Sequence, residues 1–418
     1  MILTNIKIAN LYCFDDLNVD FTFAKKIVSS TLDDEFLENR PKFKFKRFCI
    51  LMGPNSVGKS AFAKVIYAVN SFLKGYTLPA TTAEAFIDPT KLATLEVEFV
   101  TPKSLFIHIL KLEIAPSSNK ISSIEYASLP ILKSDTNTIC REKLEKLMQG
   151  EEFPKSVVIK SQDKIRSAIN KLKKIDFEIE YDFEFDDHSF KTSLALNIDP
   201  KLVFALIKTF EPNVTKVVAH EIADPFVQCT CYTIEFSNKK SFDFYPISPV
   251  TSAISHLSKG TCQLLTAMEC ICKIISNSKN ESSVFYSLDD KLSSCDSELE
   301  LLILNLMVSK LSRNSQLLYI SHNNDLLGID FPTHSFLFLG RGGPLVKAFL
   351  PEQMGYSKND RSLLSLVKNN CFSTIPNTVA IDELFSEEFV GNSQDLEVKQ
   401  TKYSFVVCDK RACELMIQ

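Results

Sequence analysis

Hydrophobic and polar positions follow two patterns along the first part of the chain, and together they predict alternating strands and helices. Apolar residues alternate with polar ones in 17–23 and again through 92–126, which is typical of antiparallel strands. Phe48–Met52 is instead an unbroken apolar run, as expected of a parallel strand buried on both faces. A helix is predicted directly after it, from about Ser60 to Leu73.

The pattern changes after about residue 128, and we interpret 128–225 as an inserted module of mixed helices and strands. Helices are predicted at 141–148, 162–174 and 201–210. The strand predicted at 179–185 alternates apolar and acidic residues, which indicates one solvated face.

Elements of the first kind resume near residue 226, so the predicted core is split by the insertion. They are strands from about 226 to 245, a helix from Gly260, strand Val284–Leu288, helix Ser297–Leu311 and strand Gln316–Ile320. The predicted organisation is an N-terminal core half at 1–127, the insertion at 128–225, a C-terminal core half at 226–345 and a tail at 346–418. The fold class is α/β, with a mixed sheet, an antiparallel β-subdomain and a helical/β insertion.

Composition places the 418-residue chain among ordinary globular proteins, because 45% of its residues are hydrophobic and 23% are charged. The net charge of −4 neither requires nor excludes a nucleic-acid partner. Twelve scattered cysteines do not form the pattern of a disulfide framework. The N-terminus lacks the features of a signal peptide, and no apolar stretch approaches the roughly 18 residues of a membrane helix. We therefore expect a cytoplasmic protein without a membrane partner.

A phosphate-binding loop is predicted directly after the buried strand. Residues 53–60 fit the pattern G-x-x-x-x-G-K-[ST] and open a helix. Backbone N–H groups of such a loop surround phosphates, Lys59 reaches the β- and γ-phosphates, and the Ser60 hydroxyl holds Mg²⁺. The cofactors predicted are ATP and Mg²⁺, and the residues of this loop are Gly53, Pro54, Asn55, Ser56, Val57, Gly58, Lys59 and Ser60.

An acidic pair follows the predicted strand Val284–Leu288. Asp289 is positioned to bind magnesium and Asp290 to polarise an attacking water. A strand that ends in two solvated acids is common, so this pair gains its meaning only from the other motifs.

A second anion site is predicted at the start of the helix from Gly260. Ser258 and Gly260 would present a hydroxyl and backbone amides there. A serine that simply caps a helix would give the same local pattern.

Taken in order, these motifs resemble those of ABC-type P-loop ATPases. Leu257–Thr261 is similar to the signature loop of that family, Asp296 stands at its D-loop acid, and His322 follows a strand where the family has its switch histidine. The resemblance implies that Asp290 and His322 serve catalysis. It also implies that Ser258, Gly260 and Asp296 contact ATP held by a second copy of the chain, so that subunits assemble through ATP sandwiches.

The N-terminal residues indicate a branch of the family. Ile6, Ile8, Asn10, Leu11 and Phe14 are similar to the start of RecF-, SMC- and OLD-type ATPases. No long coiled coil is present, and the tail is too short for the Toprim nuclease domain of OLD proteins. An ABC-type ATPase of this size without an effector of its own is similar to the ATPase subunits of PARIS-type anti-phage defence systems. This resemblance implies a separate effector protein, a nuclease.

Two features depart from the family pattern. Asp290 stands where the family usually has Glu, which keeps the carboxylate but shortens its reach and predicts slow hydrolysis. No glutamine between 74 and 125 suits the family's Q-loop, so the second magnesium contact is unassigned.

Two functions remain open from the sequence. The first is an ATP-dependent sensor and scaffold that controls the separate effector. The second is a RecF-like ATPase that clamps DNA in replication or repair, through the basic side chains of Lys160, Lys164, Arg166, Lys171, Lys173 and Lys174. A lysine-rich helix is more often only a solvated face. His334, Arg341 and Glu352 are too sparse to predict a nuclease in the chain itself.

Overall fold

The structure is a computed structural model, and it describes residues 1–23, 32–79, 82, 85–116, 121–160, 180–184, 198–223, 228–244, 257–279, 283–343, 345–356, 362–375, 379 and 381. The chain divides into two compact units, 1–375 and 376–418. The helices and strands that follow lie in the first unit.

Strands and helices alternate along this unit. The strands are β1 (Ile2–Ala9), β2 (Leu17–Asp20), β3 (Phe36–Leu37), β4 (Arg40–Lys44), β5 (Phe48–Met52), β6 (Ala93–Thr101), β7 (Phe106–Ile114), β8 (Ile121–Pro130), β9 (Val157–Lys160), β10 (Glu180–Glu184), β11 (Val214–Ala223), β12 (Gln228–Phe236), β13 (Ser241–Phe244), β14 (Val284–Asp289), β15 (Gln316–Ile320), β16 (Phe336–Gly342) and β17 (Leu345–Phe349). The helices are α1 (Lys59–Leu73), α2 (Asn137–Met148), α3 (Pro200–Phe210), α4 (Lys259–Ser276), α5 (Ser297–Lys310) and α6 (Leu363–Lys368).

A six-stranded mixed sheet forms the centre of the unit, in the order β10-β14-β15-β5-β16-β17. Its first five strands are parallel, and β17 pairs with β16 in the antiparallel direction. Along β5, Cys49 and Leu51 face one hydrophobic core, while Phe48, Ile50 and Met52 face the other. The prediction of a parallel strand buried on both faces is therefore confirmed.

A second six-stranded sheet is antiparallel, in the order β2-β1-β6-β7-β8-β9. It contains the strands predicted at 17–23 and 92–126, so the α/β class with a mixed sheet and an antiparallel β-subdomain is confirmed. Helix α1 shares one hydrophobic core with both sheets. Phe62 of α1 stacks on Phe21 with ring centroids 6.3 Å apart and meets the edge of Phe14 at 6.4 Å. A helix held between two sheets gives its N-terminus a fixed position.

Helices α3, α4 and α5 cover the opposite face of the central sheet. The three-stranded sheet β11-β12-β13 packs beside α3, where the Tyr232 hydroxyl bonds to both the N–H and the carbonyl of Ile198 at 2.7 Å. In the described part of the chain, no helix has the length and apolar character that crossing a membrane requires.

One predicted strand lies in a different environment from the one expected. The strand expected at 179–185 is β10, and it pairs with β14 in the central sheet. The predicted solvated face is wrong, because Asp182 is only 2% exposed. Lys273 of α4 lies 2.8 Å from this carboxylate and 3.2 Å from Glu269, and this neutralisation lets the acid face the core.

The segment 128–225, predicted as an insertion, contributes β9 to the antiparallel sheet and β10 to the central sheet. The helices predicted at 141–148 and 201–210 are confirmed as α2 and α3. The helix predicted at 162–174 lies outside the described residues.

Removing the Lys273 ammonium should destabilise the protein strongly, because two buried carboxylates would lose their counter-charge. We expect Lys273→Met to lower the free energy of unfolding by about 3 kcal/mol, measured by urea denaturation. Lys7 forms an exposed pair with Glu96 at 2.7 Å, so Lys7→Met should cost less than about 1 kcal/mol. Equal losses in the two variants would contradict the structural role of the buried pair.

Candidate nucleotide-binding site

The central feature of the site is the alignment of three neighbouring strand ends. Strands β14, β15 and β5 are parallel, and Asp289, Ile320 and Leu51 lie in register across them. The hydrogen bonds continue one residue further, from Asp290 N–H to the Ile320 carbonyl and from Ser321 N–H to the Leu51 carbonyl, both 3.1 Å. The predicted loop, acidic pair and histidine therefore leave the sheet at the same edge.

The loop 53–60 has a backbone that requires its glycines. Gly53 has φ +153°, and a Cβ there would lie 2.3 Å from the Leu339 carbonyl oxygen. Gly58 has φ +101°, and a Cβ would lie 2.3 Å from Cys13 Sγ. Ser56 is left-handed as well, with φ 61°. This curled path is what lets successive N–H groups point to a common centre.

The N-terminus of α1 is suited to an anion. Gly58 precedes the helix without a side-chain cap, and no acidic residue lies in the first turn. The first N–H groups and the positive end of the helix dipole are therefore available to a phosphate. Asn55, Ser56 and Ser60 are exposed around them.

The Lys59 ammonium lies between the loop and the acidic pair. Its Nζ donates to the carbonyls of Gly53 at 2.8 Å and Pro54 at 3.1 Å. Burial lowers the pKa of Lys59 from its ordinary value, and the negative charges of Asp290 and then Asp289 oppose that effect. The cation predicted for phosphates and the two predicted acids are thus brought together.

Asp290 and His322 form a contact pair at this edge. His322 Nδ1 lies 3.0 Å from Asp290 Oδ1, with the histidine about half exposed and the carboxylate partly buried. Asp290 has φ 54°, an uncommon conformation for a residue other than glycine. Strain of this kind is found at functional sites, where the surrounding structure maintains it. The pair has the geometry to orient a water and accept its proton.

Sequence reasoning missed the group that supports His322. Glu300 of α5 is 1% exposed and accepts from the Tyr319 hydroxyl at 2.5 Å and the Ser321 hydroxyl at 3.3 Å. Its second oxygen accepts from Asn323 Nδ2 at 2.7 Å. Burial, and then the Glu300 carboxylate, raises the pKa of Tyr319 well above its ordinary value. Glu300 therefore fixes the residues on both sides of His322.

The predicted signature residues form a second cluster at the start of α4. Ser258 caps this helix by accepting the Thr261 N–H at 3.0 Å. A carboxylate oxygen only accepts, so the Thr261 hydroxyl donates to Glu211 at 2.8 Å. The Ser258 hydroxyl, 2.7 Å from Thr261 Oγ1, must then donate to Thr261. In this conformation the Ser258 hydroxyl proton is therefore used in a hydrogen bond to Thr261 of the same chain.

Gln263 joins this cluster to the loop after Asp290. Its amide donates to Ser293 Oγ at 3.1 Å and its carbonyl accepts from Ser294 N–H at 2.6 Å. A Cβ on Gly260 would lie 3.0 Å from the Ser294 carbonyl oxygen, so this position favours glycine. Asp296 precedes α5, exposed and without a cap bond from its side chain.

The hydrogen bonds of the signature cluster do not reach the phosphate loop in the described part of the chain. The hydrogen bonds of Ser258 and Thr261 run to each other and to Glu211, and none runs to 53–60 in the described structure. The cluster is linked instead to the acidic pair, since Ser293 Oγ donates to the Asp290 carbonyl at 3.1 Å.

Two further side chains touch the phosphate loop and carry no motif. Cys13 Sγ lies 3.5 Å from the Val57 carbonyl, and Arg341 donates from Nη2 to the Ser56 carbonyl at 3.1 Å. Burial raises the pKa of Cys13, while a backbone hydrogen bond and the charge of Arg341 oppose the rise. Sequence analysis considered Arg341 only among residues too sparse to predict a nuclease, and it missed this contact with the loop.

The residues at the loop fit Mg²⁺ by their chemistry. The Ser60 hydroxyl and the Asp289 carboxylate are oxygen donors, which this ion prefers. No group of three or more His, Cys, Asp or Glu suited to a metal occurs among the described residues.

No protein-family model matches the chain, and no curated protein matches it. Solved structures with a similar course of the chain include the SMC head domain from Thermotoga maritima, at 13% identity and a TM-score of 0.39, covering 84% of this chain and 99% of that one. Another is the recombination mediator protein RecF-ATPrS in the RecFOR pathway, at 8% identity and a TM-score of 0.38, covering 83% and 98%. A likeness at this level assigns no function, so the function is inferred from the site.

Replacing Glu300 should destabilise the loop that carries His322. We expect Glu300→Leu to lower the free energy of unfolding by about 3 kcal/mol, because three buried or partly buried donors lose their acceptor. Glu298, exposed in the first turn of the same helix, provides the control, and Glu298→Leu should cost at most about 1 kcal/mol. Chemical denaturation measures both, and a similar cost in each would refute the supporting role of Glu300.

Proposed function

We propose that the protein is an ABC-type P-loop ATPase that binds ATP and hydrolyses it slowly. The observation that carries the proposal is the convergence, at one edge of the central sheet, of Lys59 after β5 with Asp289 and Asp290 at the end of β14. An uncapped helix N-terminus beside this cation attracts a polyphosphate. The acids at the end of β14 supply the groups that phosphoryl transfer to water requires.

In the proposed mechanism, the N–H groups of 53–60 surround the β- and γ-phosphates and Lys59 neutralises their charge. Ser60 and Asp289 hold Mg²⁺, which supplies further neutralisation of the phosphates. Asp290 orients the attacking water and takes up its proton, and His322 contacts the γ-phosphate next to it. The short side chain of Asp290 and its close contact with His322 limit its reach, which favours slow turnover.

The proposal includes a site shared between two copies of the chain. Ser258 and Gly260 of one subunit cap the phosphate held by 53–60 of another, and Asp296 lies at the contact. The exposure of Ser258 and Asp296 supports this arrangement. The Ser258 hydroxyl must turn away from Thr261 to reach a phosphate.

The finer role proposed is that of a cytoplasmic sensor and scaffold in anti-phage defence, which controls a separate nuclease. The alternative is a RecF-like ATPase that binds DNA in replication or repair. Lys160 is exposed at the end of β9, while Lys164, Arg166, Lys171, Lys173 and Lys174 lie outside the described residues. A pull-down from the native host with ATP and a tagged Asp290→Ala protein distinguishes the two. A nuclease or other toxin supports the sensor, and repair proteins with DNA support the alternative.

Removing the Lys59 ammonium should abolish ATP binding, because the phosphates would lose the cation within the loop. We expect Lys59→Ala to raise the Kd for ATP at least about 100-fold, measured by isothermal titration calorimetry. Lys91 is 74% exposed in its side chain, and Lys91→Ala should bind ATP as the wild type does. Wild-type protein without affinity for ATP, or tight binding by Lys59→Ala, would overturn the proposed function.

Asp290→Ala should separate binding from hydrolysis. We expect it to retain ATP affinity, to lower the rate of phosphate release about 100-fold or more, and to accumulate the ATP-bound assembly in analytical ultracentrifugation. Ser258→Arg should prevent that assembly, since a bulky cation would occupy the shared site. If Ser258→Arg changes neither assembly nor hydrolysis, the shared site is excluded.

A further inference from the structure

Arg341 occupies a position that the proposed mechanism does not use. It lies near the end of β16, directly beside the phosphate loop. The backbone on either side of it is tightly confined. The Leu339 carbonyl lies against Gly53, and a Cβ on Gly340 would lie 2.2 Å from the Phe372 carbonyl oxygen. Arg341 N–H donates to the Ser373 carbonyl at 3.3 Å. The side chain therefore starts from a fixed point.

The guanidinium of Arg341 lies at the rim of the loop, and most of its N–H donors have no partner among the described residues. Nη2 donates to the carbonyl of Ser56, the exposed left-handed residue of the loop. A guanidinium carries five N–H donors, so four have no partner among the described residues. Arg341 is exposed, and no carboxylate lies within ion-pair distance of it in the described part of the chain.

The charge of Arg341 acts on the same small region as the loop. Burial raises the pKa of Cys13, and the charge of Arg341 opposes that rise; Cys13 Sγ contacts the Val57 carbonyl and lies against Gly58. An unneutralised cation close to a ring of N–H groups adds to the positive potential that attracts an anion.

We propose that Arg341 is a nucleotide-binding residue, which donates charge-assisted hydrogen bonds to a phosphate oxygen of ATP held by the loop 53–60. The inference rests on the proposed ATP binding and adds a second cation to it. Lys59 contacts the carbonyls of Gly53 and Pro54, whereas Arg341 contacts that of Ser56 further along the loop. Two cations fixed at different points of one loop select a polyphosphate over a single phosphate group.

Arg341 could instead serve only to brace the loop through Ser56, and substitutions separate the two roles. A glutamine at 341 retains an N–H donor for the Ser56 carbonyl but has no charge. Lys347 lies on β17 of the same hairpin, exposed and paired with Gly340, the neighbour of Arg341. Adjacent positions of a strand face opposite sides, so Lys347→Gln removes one positive charge from the same hairpin on its other face.

The test measures the Kd of fluorescent mant-ATP for the wild type, Arg341→Gln, Lys347→Gln and Lys59→Ala over a range of salt concentrations. We expect Arg341→Gln to raise the Kd about 10- to 100-fold and to flatten its dependence on salt. Lys347→Gln should behave as the wild type does. Thermal denaturation of each variant without nucleotide shows whether the fold is retained.

Two results would overturn the inference, and they differ from failure of the proposed function. If Arg341→Gln binds mant-ATP as the wild type does while Lys59→Ala does not, Arg341 only braces the loop and the ATP site stands. If Lys347→Gln weakens binding as much as Arg341→Gln, general charge and not contact accounts for the effect. Wild-type protein that does not bind mant-ATP would remove both the proposed function and this inference.

Discussion

Parallel pairing of β5, β15 and β14 is the constraint on which the rest of the structure depends. Parallel strands deliver their carboxyl ends to one edge. The register of Leu51, Ile320 and Asp289 places the loops after β5, β15 and β14 side by side, with hydrogen bonds between each pair of neighbouring strand ends. A one-residue slip in β14 would turn Asp289 from one face of the sheet to the other. The two hydrophobic cores on either side of β5 maintain this register, since each accepts only alternate side chains.

Buried charged side chains fix the orientation of loops at the site, which hydrophobic packing alone would leave undetermined. Glu300 collects donors from Tyr319, Ser321 and Asn323, and it thereby orients the loop that carries His322. Polar networks of this kind are strongly directional, whereas hydrophobic contacts are not. The ion pair of Lys273 and Asp182 likewise fixes α4 against β10, at the far edge of the central sheet.

Hydrogen-bond direction also separates two states of the proposed shared site. In the present conformation Ser258 donates to Thr261, which donates to Glu211 at the end of α3. A phosphate arriving from another subunit would compete for the Ser258 proton. The position of Glu211 is set by α3 and β11, which flank it in sequence.

Local pattern was sufficient for most of the elements, for the loop 53–60 and for the order of the motifs. The spacing of Gly53, Gly58 and Lys59 has a local cause, because these residues must curl the backbone within eight positions. The unbroken apolar run of β5 likewise required burial on both faces. The site roles of Asp290, His322, Ser258 and Asp296 stay predictions.

Tertiary structure alone decided the partners of residues far apart in the chain. The solvated face predicted for β10 was wrong, because alternation of acidic and apolar residues does not reveal that Lys273, about ninety positions later, neutralises Asp182. Sequence patterns gave Arg341 no role at the phosphate loop, although its side chain, near the end of β16, contacts Ser56 in the loop after β5. Glu300 carried no motif at all. The spacing of residues along a chain predicts backbone conformation. Which charged side chains neutralise each other depends instead on which elements pack together. These contacts form only when the sheets and helices assemble.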